Sequence, residues 1–182
     1  MKKITVPAQE LYDPKTETFF YTTEKSFVIE HSLVSLSKWE QKWKKPFLNR
    51  EHSIEEFNDY IRCMTITQNV DPDVYNWITP EIRKEIQEYM EDPMTAAVVH
   101  ENTPQRTSSK FMTADLIYCY MVQLRIPFDP CQKWHLNRLL MLIRIVSIEQ
   151  NPDKKMSKAD SAKYSAMTNR ARRASKSKKP RR

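Results

Sequence analysis

The chain of 182 residues contains no glycine, although about a dozen would be ordinary at this length. Glycine supplies the positive φ angles and close backbone approaches on which phosphate-binding loops, dinucleotide-binding turns and the nucleophile elbow of hydrolases depend. Its absence argues against the common nucleotide-binding and hydrolase folds. It also predicts that turns fall on Asn, Asp and Pro, and that helices end without a glycine cap.

The cysteines and the hydrophobic pattern indicate a protein of the cytoplasm. Cys63, Cys119 and Cys131 lie in apolar runs without CxxC spacing, which is typical of reduced, buried thiols rather than of a disulfide framework. The basic N-terminus is not followed by an apolar stretch, so we expect no signal peptide. The longest apolar stretch, residues 139–148, contains Arg144 and is too short to span a bilayer.

Positive charge is concentrated at the C-terminus. Residues 153–182 contain 12 basic and 2 acidic residues, a net charge of +10, while residues 1–152 carry −3. The last part of this segment has too little apolar surface to offset its ordering entropy, so we expect a flexible, disordered basic tail at 153–182 after a domain at 1–152. Such a tail binds nucleic-acid phosphates, docks on an acidic protein or is simply solvated. Its candidate contacts are Arg170, Arg172, Arg173, Lys176, Lys178, Lys179, Arg181 and Arg182.

Residues 1–33 have the composition of β structure. Thr16–Thr23 and Ser26–His31 are rich in threonine, aromatic and β-branched residues, and a short turn at Glu24–Lys25 would join them. Pro7 and Pro14 fit strand edges or connections. We therefore predict a small antiparallel sheet at the N-terminus.

Helical signals begin after this sheet. We expect a short helix that carries Trp39 and Trp43, is capped by Ser35 or Ser37, and ends before Pro46. Three further helices are predicted by the capping box Ser53–Glu56, by Thr79–Pro80, and by Thr113 with Pro127 at its end. Their predicted apolar faces are Phe57, Tyr60, Ile61 and Met64; Ile82, Ile86, Tyr89 and Met90; and Ile117, Tyr120, Met121 and Leu124.

The longest predicted helix opens at Asp129–Pro130 and runs to about Glu149. Ten of the fifteen residues from Trp134 to Ile148 are apolar, so this helix belongs in the middle of a bundle or against a partner. Residues 91–110 are predicted as a loop around a short segment at 94–99, and Ser157 starts a marginal last helix. The predicted fold class is α+β and mainly α: a helical bundle-like domain with a small N-terminal antiparallel β element.

The polar residues show no pattern that favours catalysis, a metal or a cofactor. Cys131 and His135 are four residues apart on the predicted last helix and would supply half a zinc site, but no second pair accompanies them. Acidic pairs occur at helix starts or on exposed faces, where the helix dipole and solvation explain them. These acidic groups are Glu55/Glu56, Glu81/Glu85/Glu88 and Glu91/Asp92.

Aromatic residues form the strongest candidate for a binding surface. Trp39, Trp43, Phe47 and Leu48 follow the pattern W-x3-W-x3-F-L, with lysines between them. They form either a partner-binding stripe or the apolar side of a helix packed on the core with lysine stems alongside, and the second interpretation is favoured. Trp134 is also assigned to the core. The candidate partner-binding residues are Trp39, Trp43, Phe47 and Trp134.

Several stretches resemble a group of small proteins of tailed bacteriophages associated with tail assembly chaperones. They are HSLVSLSKWEQKWKKPFL (31–48), CMTITQNVDPDVYNWIT (63–79), IPFDPCQKWHLNRLLMLIRI (126–145), and the basic segments PDKKMSKAD and NRARRAS. The resemblance covers most of residues 31–173 and transfers no catalytic residue.

The resemblance implies a non-enzymatic factor of virion morphogenesis in the host cytoplasm. Such a chaperone is expected to bind the tape measure protein and other tail components, and a second copy of the chain is a further candidate partner. The alternative from the residues themselves is a nucleic-acid-associated phage protein that binds DNA or RNA non-specifically through its basic tail.

Overall fold

The computed structural model describes residues 1–13, 17–97 and 112–150. The basic tail, its predicted contact residues, the marginal helix at Ser157 and part of the predicted loop at 91–110 lie outside this range. The described residues confirm the α+β, mainly helical fold class. The strands are β1 (Lys2–Val6), β2 (Glu10–Asp13), β3 (Thr18–Tyr21) and β4 (Lys25–Ile29); the helices are α1 (Leu33–Trp43), α2 (Ile54–Met64), α3 (Pro80–Glu91), α4 (Ala114–Gln123), α5 (Phe128–Cys131) and α6 (Leu136–Gln150), with a 3-10 helix at Pro72–Trp77.

The four strands form two antiparallel ribbons, one nested within the other. β1 pairs with β4, and β2 pairs with β3. The predicted turn at Glu24–Lys25 is therefore wrong, because β3 and β4 are not partners and Lys25 already belongs to β4. The backbone N–H of Thr22 donates to the carbonyl of Gln9 at 2.8 Å, which joins the two ribbons at their boundary.

The β1–β4 ribbon belongs to the core. Ile4, Val6, Phe27 and Ile29 lie on one face of it and are 1% exposed or less. The outer edge of β4 is covered, because Ile66 N–H donates to the Val28 carbonyl at 2.9 Å and Val28 N–H donates to the Thr67 hydroxyl at 2.8 Å. The ribbon is thus fixed on one face and one edge.

Helix α1 begins earlier than predicted. Its N-cap is Ser32, whose hydroxyl accepts from the Ser35 N–H, while the Ser35 hydroxyl accepts from the Ser32 N–H at 2.9 Å. Ser35 is therefore the third helical residue of a capping box and is not the cap itself. The start is early because β4 ends at Ile29, which leaves only a short connection before the helix.

The other three predicted caps are confirmed. Ser53, Thr79 and Thr113 each accept a hydrogen bond from the backbone three residues later. The apolar faces predicted for α2 and α3 pack in or against the core. On α4, Ile117 and Met121 are buried, but Tyr120 is 40% exposed and does not belong to that face.

The predicted continuous helix from Pro130 is wrong over its first turns. The chain instead forms the short α5, passes through a turn and starts α6 at Leu136. Ser32 and His135 form an isolated antiparallel bridge, and Leu136 N–H donates to the His31 carbonyl at 2.7 Å. These long-range backbone bonds hold residues 132–135 beside the start of α1. In a continuous helix the N–H groups of this segment would be bonded within the helix and could not make them.

Left-handed backbone positions fall on ordinary residues, since the chain has no glycine. Asn49 and Asn69 have positive φ, as the sequence predicts for turns. Lys44, Met94 and Arg125 do as well, together with Glu17, and these side chains have no special tolerance of that conformation. Lys44 ends α1 at φ 55°.

Candidate functional site

Trp39 lies at the centre of the aromatic cluster predicted from the sequence. It is 0% exposed, and its indole Nε1 donates to the backbone carbonyl of Glu56 at 3.0 Å. The Trp43 ring stacks on it at 5.7 Å between centroids and 17° between planes. The core interpretation is confirmed for Trp39, which cannot contact a partner directly while the domain keeps this conformation.

Phe47 is also buried, at 3% exposure. Its ring is stacked between Tyr60, at 3.7 Å, and His52, at 4.1 Å. The chain leaves α1 at Lys44 and folds back over Trp39 to make this three-ring stack. Phe47 therefore fixes the loop that precedes α2, rather than offering its ring to a partner.

Glu56 connects this loop to α2. Its carboxylate accepts from Arg50 Nη2 at 2.7 and 2.8 Å, from Lys45 Nζ at 3.2 Å and from the Ser53 N–H at 3.2 Å. Desolvation would raise the pKa of Glu56, but hydrogen bonds from Lys45, Ser53 and Arg50 outweigh it and hold the pKa at about 2. Glu56 lies at a helix start, as the sequence predicts, but it is 6% exposed, so its partners as well as the helix dipole account for it.

An open groove of about 790 Å³ lies between this loop, α2 and α3. Apolar side chains from all three elements line it, among them Leu48, Phe57 and Met90, and Arg83 and Asn137 add polar groups. Ile54 belongs to the same lining and is 64% exposed. Arg83 Nε donates to Asn58 Oδ1 at 3.3 Å, and this hydrogen bond joins the two helices that border the groove.

Two buried histidines lie side by side at the groove, and His31 is among its lining residues. The rings of His31 and His135 have centroids 5.3 Å apart, and both residues are less than 7% exposed. The Tyr60 hydroxyl and His31 Nδ1 are hydrogen-bonded at 2.8 Å, and burial raises the pKa of Tyr60, so its hydroxyl keeps its proton. Burial and the neighbouring His135 lower the pKa of His31 to about 3, so His31 is neutral at physiological pH.

His135 is held between two backbone groups. Asn137 N–H donates to Nδ1 at 3.3 Å, which leaves the proton on Nε2, and Nε2–H donates to the Tyr89 carbonyl at 3.1 Å. Burial lowers the pKa of His135 as well. The Tyr89 hydroxyl in turn donates to Glu30 Oε1 at 2.7 Å. These bonds tie α3 to Glu30, just after β4, and to His135, just before α6, and both histidines are engaged in structural bonds.

The structure does not bring the predicted half of a zinc site together. Cys131 ends α5 and His135 precedes α6, so the two residues do not share a helix face. Among the residues described, no group of three or more His, Cys, Asp and Glu side chains is placed to hold a metal ion. Of the three cysteines, Cys131 is buried and Cys63 half-buried, but Cys119 is exposed, contrary to expectation.

Trp43 and Trp134 are the predicted partner contacts that keep part of their surface accessible. Trp43 donates its Nε1–H to Asp59 Oδ2 at 2.7 Å, and the Lys42 and Lys45 amines lie 5.9 and 5.7 Å from its ring. The guanidinium of Arg138 lies 4.3 Å from the Trp134 ring. Both indoles thus pack against the core on one side and under cations on the other.

Sequence reasoning missed the groove and the two buried histidines. The one residue of the groove region that a local pattern identified was Glu56, which the capping box placed at the third position of α2. Its buried partners come from a loop whose path depends on the Phe47 stack, and the histidine pair depends on the bridge between Ser32 and His135.

Comparison with known proteins gives no relative. No protein-family model, curated protein or solved structure matches the chain. Within the described ranges, no helix combines the length and the apolar character needed to cross a bilayer. The function is therefore argued from the geometry and from the resemblance noted in the sequence.

Proposed function

We propose that this protein is a non-enzymatic chaperone of phage tail assembly in the host cytoplasm, and that it holds the tape measure protein or another tail component in the groove between α2 and α3. We place the binding site in the groove because it is open, lined by apolar side chains and about 790 Å³ in volume. This volume falls within the roughly 300–1,000 Å³ usual for binding sites. The nature of the client rests on the resemblance alone.

The lining favours an amphipathic helix as the bound element. Leu48, Phe57 and Met90 give the apolar floor on which such a helix lays its anchors, and Arg83, Gln87 and Glu91 give polar groups at the side. The tape measure proteins that such chaperones are expected to bind are long and helical. A client of this kind needs its apolar face covered until the tail grows around it.

Three buried protonatable groups beside the groove are engaged in structural bonds. His31 is bonded to Tyr60, His135 to two backbone groups, and Glu56 to Arg50. The pKa of His31 is lowered to about 3 and that of Glu56 to about 2, so His31 is neutral and Glu56 ionised at neutral pH. A general acid or base needs a pKa near the working pH and access to substrate, which these arrangements do not supply.

Co-expression with the tape measure protein from the same genome tests the proposal. We expect a complex that co-purifies, and we expect Ile54→Glu to weaken it, because this residue lines the groove and is 64% exposed. Val122→Glu is the matched control, since Val122 is also 64% exposed and lies on α4, outside the groove lining. A client that stays soluble alone and never co-purifies would refute the proposal, and equal loss in both variants would refute the groove as its site.

The second candidate function is non-specific binding of DNA or RNA. The separation of charge favours it, with +10 in residues 153–182 against −3 in the rest. Removal of residues 170–182, which include Arg170 and Lys176, is expected to abolish any salt-sensitive binding to nucleic acid. Binding that persists unchanged without these residues would rule out the tail as the contact.

A further inference from the structure

One arginine in the lining of the groove has no acidic partner. Arg83 is half-buried and lines the groove, and it forms no ion pair with any residue that the structure describes. Arg50, the other arginine of the lining, pairs with Glu56. The described part of the domain therefore leaves the positive charge of Arg83 unpaired.

The sequence of α3 explains why Arg83 has no partner on its own helix. Side chains three and four residues apart are the ones that meet on a helix surface. For Arg83 these neighbours are uncharged: Thr79, Pro80, Ile86 and Gln87. Glu91 also lines the groove, but it is eight residues further along α3, about 12 Å at the rise of a helix.

One hydrogen bond fixes the Arg83 side chain while its two terminal nitrogens stay available. Nε donates to Asn58 Oδ1 at 3.3 Å, which ties the guanidinium to α2. The two Nη groups make no hydrogen bond to a described residue. These are the groups through which a guanidinium donates two parallel bonds to one carboxylate. The neighbouring apolar lining, Leu48, Ile54 and Phe57, offers them no acceptor.

A bound helix that covers the groove also covers Arg83. Removal of a cation from water is strongly unfavourable unless a group of opposite charge replaces the water. Among the side chains of a protein client, a carboxylate neutralises the guanidinium and accepts both of its free bonds. The apolar floor accepts any apolar helix face of suitable size, whereas Arg83 distinguishes helices by the charge beside that face.

We propose, on the basis of the client-binding function proposed above, that Arg83 determines the specificity of the groove by pairing with an Asp or Glu side chain of the bound helix. The apolar anchors of that helix lie on Leu48, Phe57 and Met90, and its carboxylate lies at the Nη groups of Arg83. The ligand is thus an amphipathic helix with an acidic residue at the edge of its apolar face. A helix with an amide or an amine at that position binds more weakly.

Overlapping peptides of about 30 residues from the tape measure protein of the same genome test this pairing. Their binding to the full chain is measured by fluorescence anisotropy. We expect Arg83→Gln to weaken the tightest peptide at least about tenfold, the scale of a hydrogen bond to a charged group. Lys84→Gln is the matched control, because Lys84 is an exposed neighbour on α3 outside the groove lining and its loss removes the same charge. It is expected to change the dissociation constant less than about twofold.

A double-mutant cycle keeps the test decisive even if Arg83→Gln disturbs α3. Each acidic residue of the tightest peptide is replaced in turn by its amide. One replacement should weaken binding to the wild type about as much as Arg83→Gln does, and should have little further effect on that variant. Arg83→Glu should prefer the peptide in which Lys replaces the same acid.

The outcomes separate this pairing from the chaperone proposal. Peptide binding that survives Arg83→Gln, equal losses in Arg83→Gln and Lys84→Gln, or additive losses throughout the cycle overturn the pairing while a client is still bound. If no peptide binds, a single helix is not the ligand and the pairing is overturned as well. Co-purification with the intact tape measure protein then still decides the chaperone proposal.

Discussion

Arg50 Nη2 donates to both carboxylate oxygens of Glu56, at 2.8 Å from Oε1 and 2.7 Å from Oε2. The backbone carbonyl of the same glutamate accepts from the indole of Trp39. One residue at the first turn of α2 therefore holds the preceding loop through its side chain and α1 through its backbone. The shape of the groove depends on this junction, because the loop forms one of its walls.

Replacement of Glu56 by Gln is expected to destabilise the domain. The amide keeps the shape but loses the charge that Arg50 and Lys45 need, and leaves their cations unpaired. The pKa of Glu56 is lowered to about 2, so its contribution is complete above the ordinary carboxyl pKa of about 4.5 and is lost as the pH falls from there toward 2. Urea midpoints of wild type and variant should therefore differ at pH 7 and converge as the pH falls to about 2 and below.

Glu55→Gln is the control for that substitution, because Glu55 is the exposed neighbour at the same helix start. It is expected to lower the midpoint far less. If both variants behave alike, the Arg50 contact contributes nothing beyond the helix dipole.

The stability of the domain is expected to fall as the pH drops from 7 to 5. The pKa of His31 is lowered to about 3 in the folded chain, while an unfolded histidine titrates near 6.5. The unfolded state therefore binds more protons across this interval, and linkage gives a loss of about 2 kcal/mol from this residue. Urea unfolding at closely spaced pH values measures the slope, which should flatten above pH 7.

His31→Gln removes this titration and should reduce the slope between pH 7 and pH 5, whatever its effect on stability at neutral pH. His135, whose pKa is also lowered by burial, supplies a residual slope of the same sign. A variant with the full wild-type slope would show that His31 is not buried in its neutral form.

Lys44→Gly is expected to stabilise the chain. Lys44 is exposed and has φ 55° at the end of α1, a conformation that costs a non-glycine residue about 1 kcal/mol. Glycine relieves that cost but also loosens the unfolded chain, so we expect a net gain of about 0.5 kcal/mol. Lys38→Gly, at an exposed position inside the same helix, should instead lose about 1 kcal/mol. Thermal melts of the two variants should shift in opposite directions.

Cys119 is expected to react first with a thiol reagent. It is exposed, whereas Cys131 is buried and burial raises the pKa of Cys63 to about 11. Labelling of the native chain with a disulfide reagent at pH 8 should show one fast thiol, and Cys119→Ser should remove that phase. A fast phase that survives the substitution would place another cysteine at the surface.

Local signals in the sequence predicted the local parts of the fold. Ser53, Thr79 and Thr113 cap helices because a side-chain oxygen can satisfy a backbone N–H a few residues away, whatever the rest of the chain does. The burial of Trp39 also followed from its helical spacing with Trp43. The apolar faces of α2 and α3 needed no knowledge of their partners.

The errors arose where distant residues decide the structure. The start of α6 depends on the bridge between Ser32 and His135, and the pairing of β4 depends on Lys2–Val6, which is distant from it in sequence. The groove requires the loop that Phe47 and Glu56 hold in place. None of these contacts has a periodicity that a linear pattern could display.

Because one ribbon is nested in the other, the strands that pack in the core are separate from the strands that are exposed. The β2–β3 ribbon joins the rest of the domain at Gln9 and Thr22, which are hydrogen-bonded to each other. The β1–β4 ribbon thus covers the core without any contribution from the β2–β3 ribbon. We therefore expect that the β2–β3 ribbon can be shortened, lengthened or exchanged for another hairpin without disturbing the packing beneath it. Over evolution, such a segment can drift or be replaced independently of the body that carries it.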